Sequence, residues 1–533
     1  MNTLADPLFE WAVRAPERAA IVHRGRSASY GELARRVRGR AAELRRRGIG
    51  EGDRVLVFVP MSIPLYEILL AVFAVGAAAV FVDAWAGARR IDRAAALAEC
   101  KGFVGVPKAF LLLLASRALR RIPVKLLPGF GGLARAEPGH QDSPVPPGSP
   151  DVQAPSRTGT PERPALVTFT TGSTGEPKAA LRTVGFLLEQ LRVLRTEIRI
   201  EEGDVDLATL PVFVLANLAC GATTLLPDFN PARPADFDPA RVRAEAAALG
   251  VTTTAGSPAF YERLTEGLPP GAPAIPTLRR LHVGGAAVWP DFAARLRAAF
   301  PGADIRALYG STEAEPIACI GADELAACAD LSGGLPAGAP SPHLRVAVIP
   351  IGTPPPDREL SAAEWAALAL PEGEPGELCV AGPHVLKTYF RNDAAFRENK
   401  IRAAGEVWHR TGDAARLAGG RLFLLGRASR AFRGTDGAWR FPMLLEARLR
   451  AIPGIAAGTV LRIPDGRLAA AVEPDGAAPS ASLPAAVAAA GIPHDLVRVL
   501  RRLPRDPRHR SKIDYGALAA ALGKGVASAG PFC

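Results

Sequence analysis

Ala165-Leu166-Val167-Thr168-Phe169-Thr170-Thr171-Gly172-Ser173-Thr174-Gly175-Glu176-Pro177-Lys178 is the stretch on which the reading of this 533-residue chain turns. Its first five residues are apolar or β-branched and predict a buried strand. The strand runs straight into a loop of hydroxyls, glycines and a lysine. Small residues let backbone N–H groups approach phosphate oxygens, hydroxyls add donors, and a lysine adds a mobile positive charge. The string is not a Walker A loop, because Pro177 stands where the glycine before the lysine belongs. Read alone, Thr170, Thr171, Gly172, Ser173, Thr174, Gly175 and Lys178 form a cradle for a polyphosphate.

Working outward, Ser29 is placed to cap a helix that follows it, and Val55–Val59 reads as a buried strand. A strand–helix–strand rhythm recurs at 77–82, 102–106, 205–210, 251–254, 281–283 and 305–307. Such alternation predicts an α/β fold with a mostly parallel, helix-covered sheet. Residues 128–163, crowded with Pro, Gly, Ser and Asp, break the rhythm and read as a surface loop or tether. Beyond a hairpin at 419–427 the pattern changes to short helices and strands with an Ala-rich stretch. The expected organisation is a large domain over residues 1–428 and a small α+β domain over 429–533.

The net charge of +11 suits anionic partners such as nucleotides. No basic–aromatic module for nucleic acid is present, so nucleic acid is not an expected partner. Arg35, Arg36, Arg38, Arg40 and Arg45–Arg47 fall on one amphipathic helix and read as a solvated face, with contact to a membrane surface as the lesser alternative. Cys100, Cys220, Cys319, Cys328, Cys379 and Cys533 form no C-x-x-C pair and fit reduced thiols in the cytoplasm. Met1–Pro7 lacks the pattern of a signal peptide. The apolar run Ile68–Val82 is too short for a membrane span, and a buried helix, a turn and a buried strand account for it.

The loop, with three further strings in fixed order, resembles the AMP-forming adenylating superfamily of acyl-CoA synthetases, luciferases and peptide-synthetase adenylation domains. Tyr309-Gly310-Ser311-Thr312-Glu313 is similar to its aromatic-Gly-x-Thr-Glu motif, Trp408-His409-Arg410-Thr411-Gly412-Asp413 to its Thr-Gly-Asp motif, and Gly426-Arg427 to its interdomain arginine. Lys512 stands where its catalytic lysine belongs. The resemblance covers nearly the whole chain. It implies a large N-terminal domain with a small β-barrel-like subdomain, followed by a mobile C-terminal domain with its hinge at Ser429. It implies ATP and Mg²⁺: Lys178 on the β- and γ-phosphates, Thr312 against the α-phosphate, Glu313 as Mg²⁺ ligand, and Tyr309 stacked on adenine near Gly284, Gly285 and Ala286. Asp413 would take both ribose hydroxyls, Arg427 the ribose or phosphate, and Lys512 would bridge the carboxylate and the α-phosphate. Such a site meets the charge that develops when a carboxylate attacks phosphorus. His282, His384 and His409 read as structural.

Several positions depart from the general pattern. Pro211-Val212-Phe213-Val214 lacks the usual histidine, Ser429 replaces the hinge Asp or Lys, and the tail reads Asp506-Pro507-Arg508-His509-Arg510-Ser511-Lys512-Ile513. These departures are similar to the β-lactone synthetases of long-chain olefin biosynthesis, although Ser311 and Glu315 differ from that branch. The resemblance implies a long-chain, 3-hydroxy carboxylic acid whose own hydroxyl displaces AMP, a tethered nucleophile that needs no outside acceptor. An acyl pocket is expected around Val214, Asn217, Ser257 and Val283. The alternatives are an acyl-CoA synthetase, which would need CoA, an acyl-AMP ligase that loads a carrier protein, and a catalytically silent relative. Peripheral association with a membrane or with pathway enzymes stays open.

Overall fold

The computed structural model describes residues 3–82, 87–129, 160–171, 177–229, 235–269, 271–434, 436–476, 479–505 and 513–524. Two sheets carry the large domain. In the first, five strands run parallel in the order Val124–Leu126, Gly102–Gly105, Arg54–Phe58, Ala78–Val82 and Pro164–Thr171, and Pro177–Thr183 closes the edge antiparallel. The hairpin formed by the last two strands frames the loop expected to hold phosphate, with Thr170 paired to Lys178. The register of the two strands therefore fixes where that loop begins and ends.

The second sheet has a parallel half, in which Ala19–His23, Thr223–Leu226, Val205–Ala208, Thr253–Gly256, Arg280–Gly284 and Asp304–Ser311 lie side by side. It continues antiparallel through Ala314–Gly321, Leu335–Pro340, Arg421–Arg427, Glu406–Ala418, Gly376–Ala381 and Arg345–Ile349. The antiparallel run is the part expected as a barrel-like subdomain. Gly419 and Gly420, at φ +58° and +69°, make the tight turn between Glu406–Ala418 and Arg421–Arg427, a backbone region that favours glycine. The predicted strand at 205–210 ends at Ala208. Pro211 instead opens the helix Pro211–Cys220, where a proline in the first turn sacrifices no hydrogen bond.

Helices cover the sheets, and Ile63–Ala74 is buried along most of its length. Among the described residues no helix is long and apolar enough to cross a membrane. The helix Tyr30–Arg46 has the predicted start: Ser29 accepts from the Glu32 amide in a full capping box. Arg35, Arg38 and Arg45–Arg47 are exposed, as expected of a solvated face, and two arginines depart from it. Arg36 and Arg40 turn inward to Glu67, at 3.2 Å from Arg36 Nη1 to Oε1 and 2.8 Å from Arg40 Nε to Oε2. Glu67 is buried, and a buried carboxylate demands such partners.

The C-terminal part folds around a separate sheet of Ile455–Arg462, Leu468–Pro474 and Leu496–Val499. Leu445 and Leu449 of the helix Pro442–Arg450 pack on it with Val460, Val472 and Val487. The 428/429 division falls in the single 3₁₀ turn Ala428–Arg430, which leaves Ser429 exposed. Across this turn Phe441 packs with Ala414, Leu425 and Ala428, and Arg450 reaches Asp291 at 3.2 Å.

His282 is buried within the strand Arg280–Gly284, and burial pushes its pKa down to about 3. The unfolded chain takes up a proton there below about pH 6.5, while the folded protein does not, so stability falls as pH drops through that value. Between pH 7.5 and 5.5 the wild type is expected to lose about 1.4 kcal/mol more than His282→Gln in urea unfolding. Equal losses would mean that His282 titrates in the folded protein.

Candidate active site

Three groups of side chains gather where the two sheets and the antiparallel hairpin meet. The first surrounds the phosphate loop. Lys178, at the start of Pro177–Thr183, places Nζ 3.0 Å from Glu398 Oε2 and 3.2 Å from Asn399 Oδ1. These acceptors come from the helix Asp393–Asn399 and hold the ammonium at the loop's exit. Gly172, Ser173, Thr174 and Gly175 lie outside the described residues, and Thr170 and Thr171 contribute their backbone to the hairpin.

The second group is built on the turn between Asp304–Ser311 and Ala314–Gly321. The Glu313 amide donates to Ser311 Oγ at 3.2 Å, its carbonyl accepts from the Leu386 amide at 2.7 Å, and Oε1 accepts from the Tyr389 hydroxyl at 3.3 Å. Thr312 offers its carbonyl to Arg182 Nη2 at 3.2 Å. Arg182 comes from the strand that leaves the phosphate loop, so it links the first group to the second. Its Nε is buried without a partner, and burial pulls its pKa down although Glu315 and Glu313 oppose this. Lys400 is also buried; its ammonium donates to the Leu386 carbonyl and lies 5.4 Å from the Tyr389 ring centre. Burial pushes Lys400 down to about 7 against the attraction of Glu313. No cluster of three or more His, Cys, Asp or Glu side chains able to hold a metal occurs among the described residues. A lone half-buried carboxylate suits Mg²⁺, which takes one or two protein oxygens and completes its shell with phosphates and water.

The third group ties the parallel half of the sheet to the hairpin. The Tyr309 hydroxyl donates to Asp413 Oδ2 at 2.7 Å, and Arg427 Nη1 lies 3.2 Å from Asp413 Oδ1. Asp413 and Arg427 face each other across the antiparallel ladder, so pairing of the strands alone brings the charges together. Gly412 at φ +71° turns the backbone here, and the Asp413 amide is held by Thr411 Oγ1 at 3.1 Å. Burial first, then Asp413, raises the Tyr309 phenol well above its usual range, so it stays protonated and donates. Gly284 pairs with Leu308, one residue before Tyr309, and a Cβ on Gly284 would stand 2.9 Å from the Leu308 carbonyl. Gly285 follows at φ +82°, leading into Ala286. A Cβ on Gly310 would meet the Ala314 carbonyl at 3.0 Å, so this glycine lets the Thr312–Glu313 turn close.

Tyr309, Gly310, Thr312, Glu313, Asp413 and Arg427 are thus brought together, with Gly284 and Gly285 beside them. The expected acyl-pocket residues are placed differently. Asn217 corrects the expectation: both its amide hydrogens serve the fold, donated to Asp206 Oδ2 at 2.7 Å and Thr224 Oγ1 at 3.1 Å. Burial lifts the Asp206 carboxyl to about 6, so this inward-turned polar knot needs every donor it has. Ser257 caps the helix Pro258–Thr265. Val214 and Val283 are fully buried, each in a separate part of the core.

Lys512 and His509 lie outside the described residues. The segment that carries them is pinned at both ends, by a bridge between Arg505 and Ile513 and by the Asp514 amide on the Pro504 carbonyl at 2.9 Å. Arg505, with Trp289, Arg263, Trp439 and Arg450, lines a cleft of about 1980 Å³ between the large and small domains. Lys178, Glu313, Tyr309 and Asp413 do not line it. Sequence reading missed Arg182, Tyr389 and Lys400. Arg182 carried a faint signal, a charge in an otherwise apolar strand four residues after Lys178, and Lys400 carried none.

Residues 8–390 match the family model described as AMP-binding enzyme. An olefin β-lactone synthetase of Stenotrophomonas maltophilia (strain K279a) is 31% identical, with 97% of this chain and 97% of that protein covered. A feruloyl-CoA synthase of an Amycolatopsis species is 29% identical over 86% of each chain. The crystal structure of ATP-bound MatB from Rhodopseudomonas palustris shares the fold at a TM-score of 0.79 and 22% identity, with 99% of this chain and 100% of that one covered. With a family match over most of its length and a relative 31% identical from end to end, the chain belongs to the AMP-binding enzyme family and is an adenylate-forming ligase.

Proposed function

We propose that this ligase activates a long-chain 3-hydroxy carboxylic acid with ATP and closes it to a β-lactone. In the first step a carboxylate oxygen bonds to the α-phosphorus, the bond from that phosphorus to the bridging oxygen breaks, and pyrophosphate leaves with the electron pair. In the second, the substrate's 3-hydroxyl oxygen attacks the acyl carbon and gives up its proton. The bond from that carbon to the phosphate oxygen breaks, and AMP leaves as the four-membered ring closes. The nucleophile is already tethered, which replaces the encounter with an outside thiol.

In this reading Lys178 holds the β- and γ-phosphates, and Asp413 and Tyr309 form the nucleoside wall with Gly284, Gly285 and Ala286. Arg427 and Lys512 offset charge at the α-phosphate, with Thr312 beside it. Glu313 would hold Mg²⁺, which supplies neutralisation of phosphate charge when bound. The observation that carries the reading is the end-to-end likeness to the Stenotrophomonas olefin β-lactone synthetase, together with the branch-like strings at 211–214 and 506–513. A CoA ligase is the second reading, supported by the likeness to the Amycolatopsis feruloyl-CoA synthase.

The test is incubation with ATP, Mg²⁺ and a long-chain 2-alkyl-3-hydroxy acid in the absence of CoA. AMP, pyrophosphate and a β-lactone are the expected products. Strict dependence on CoA would replace this reading with the second one. A total absence of AMP and pyrophosphate with any acid would point to a silent relative.

A further inference from the structure

Five large apolar side chains are exposed among the described residues, and three of them, Leu111, Leu114 and Leu127, fall within one short stretch at 66%, 80% and 51% exposure. The run Leu111-Leu112-Leu113-Leu114 explains the first two. Leu112 and Leu113 pack inward against the cluster that contains Phe103 and Leu119. Leu111 and Leu114, three residues apart on consecutive helical turns, face the other way.

The charge around them is one-sided. Residues 87–127 hold nine Lys and Arg against two Asp and Glu, so much of the chain's net charge of +11 is concentrated here. Both acids serve the fold: Asp92 Oδ1 accepts from Ser116 Oγ at 2.6 Å and the Ala118 amide at 2.9 Å, and Glu99 pairs with Arg391 at 2.7 Å. Arg120 lies along the leucine turn, donating to the carbonyls of Leu113 and Leu114 at 2.8 and 3.0 Å. Lys108, Arg117 and Arg121 are exposed on the flanks, and Arg89 and Arg90 are exposed on the helix that Ser116 tethers through Asp92.

We infer that this face, Leu111 and Leu114 flanked by Lys108, Arg117 and Arg121, docks the enzyme on an anionic lipid bilayer. Isolated apolar side chains at the crest of a basic surface are what an interfacial anchor requires: the leucines enter the headgroup boundary while the cations stay in the plane of the lipid phosphates. An acidic protein would answer the charge but would leave protruding leucines without a matching cavity, so the bilayer is the better fit. The helix Tyr30–Arg46 is also basic, with Arg35, Arg38 and Arg45 exposed, but it exposes no large apolar side chain that could enter a bilayer. The inference does not depend on which acid is activated.

The experiment is flotation of the full chain with two kinds of vesicle, phosphatidylcholine alone and phosphatidylcholine mixed with phosphatidylglycerol. Binding is expected to the mixed vesicles, to fall at least about tenfold on the neutral ones, and to weaken as salt rises. Leu111→Asp with Leu114→Asp should lower binding at least about tenfold while ATP–pyrophosphate exchange with a short soluble acid is unchanged. Arg117→Glu with Arg121→Glu should do the same. Equal binding to both vesicles, no binding to either, or loss with the arginine pair but not with the leucine pair would overturn the proposal. So would a self-association, seen without lipid, that the leucine pair abolishes.

Discussion

Asp413→Ala is expected to lower kcat/KM for ATP by about two to four orders of magnitude. The carboxylate touches both Tyr309, at 2.7 Å, and Arg427, at 3.2 Å. In the proposed reading Asp413 also accepts from both ribose hydroxyls; each such charge-assisted contact is worth about 1.5–3 kcal/mol, and losing two gives the range stated. Truncation also leaves the Tyr309 phenol without its acceptor, so a lower thermal midpoint is expected. Asp413→Asn separates the two contacts. Its amide oxygen still accepts from Tyr309 but no longer attracts Arg427, so it should recover stability and only part of the activity. ATP–pyrophosphate exchange read against thermal melting checks both. An unchanged response to ATP in Asp413→Ala would remove this residue from the nucleoside wall.

Lys512→Ala is expected to abolish acyl-adenylate formation, a fall of about three orders of magnitude or more, with the melting temperature unchanged. The attack brings a carboxylate against a phosphate, and a cation that meets both is used only as the reaction proceeds. The expectation of unaltered stability rests on the neighbours. Ile513 bridges Arg505 and packs with the cluster of Leu503 and Leu518, and Asp514 holds Pro504, so the chain beside Lys512 is anchored by contacts of its own. Pyrophosphate release that continues undiminished in the variant would show that Lys512 is not the catalytic lysine. Arg427→Ala in parallel would distinguish a specific bridge from general loss of positive charge.

The strand that enters the loop at Thr170, the parallel strands and the hairpin at 419–427 were legible because each is local: a strand pattern, an alternation, a turn between facing strands. Tyr309 and Glu313 could be read because they share one short ordered string. What escaped was set by distance along the chain. Arg40 looked like a surface charge because its partner, Glu67, lies on the next helix, and no periodicity reports that pairing. Asn217 was expected in an acyl pocket because it sits in a small, apolar stretch, yet its partners Asp206 and Thr224 come from neighbouring strands. Lys400 meets Tyr389 and the Leu386 carbonyl only after the antiparallel strands have assembled, so the sequence around it gives no warning.

The ion pair between Asp413 and Arg427 has a consequence for how the enzyme turns over. Arg427 is the last residue of its strand, and the 3₁₀ turn Ala428–Arg430 follows directly. In the proposed reading one guanidinium would therefore belong both to the nucleoside wall and to the start of the swivel between domains. A ligand that draws it off Asp413 changes the tension on the swivel. By reciprocity, any orientation of the small domain that displaces Arg427 alters the hold on that ligand by the same factor. Nucleotide release and domain rotation would then be two readings of a single equilibrium, and a variant that weakens the pair would loosen both together.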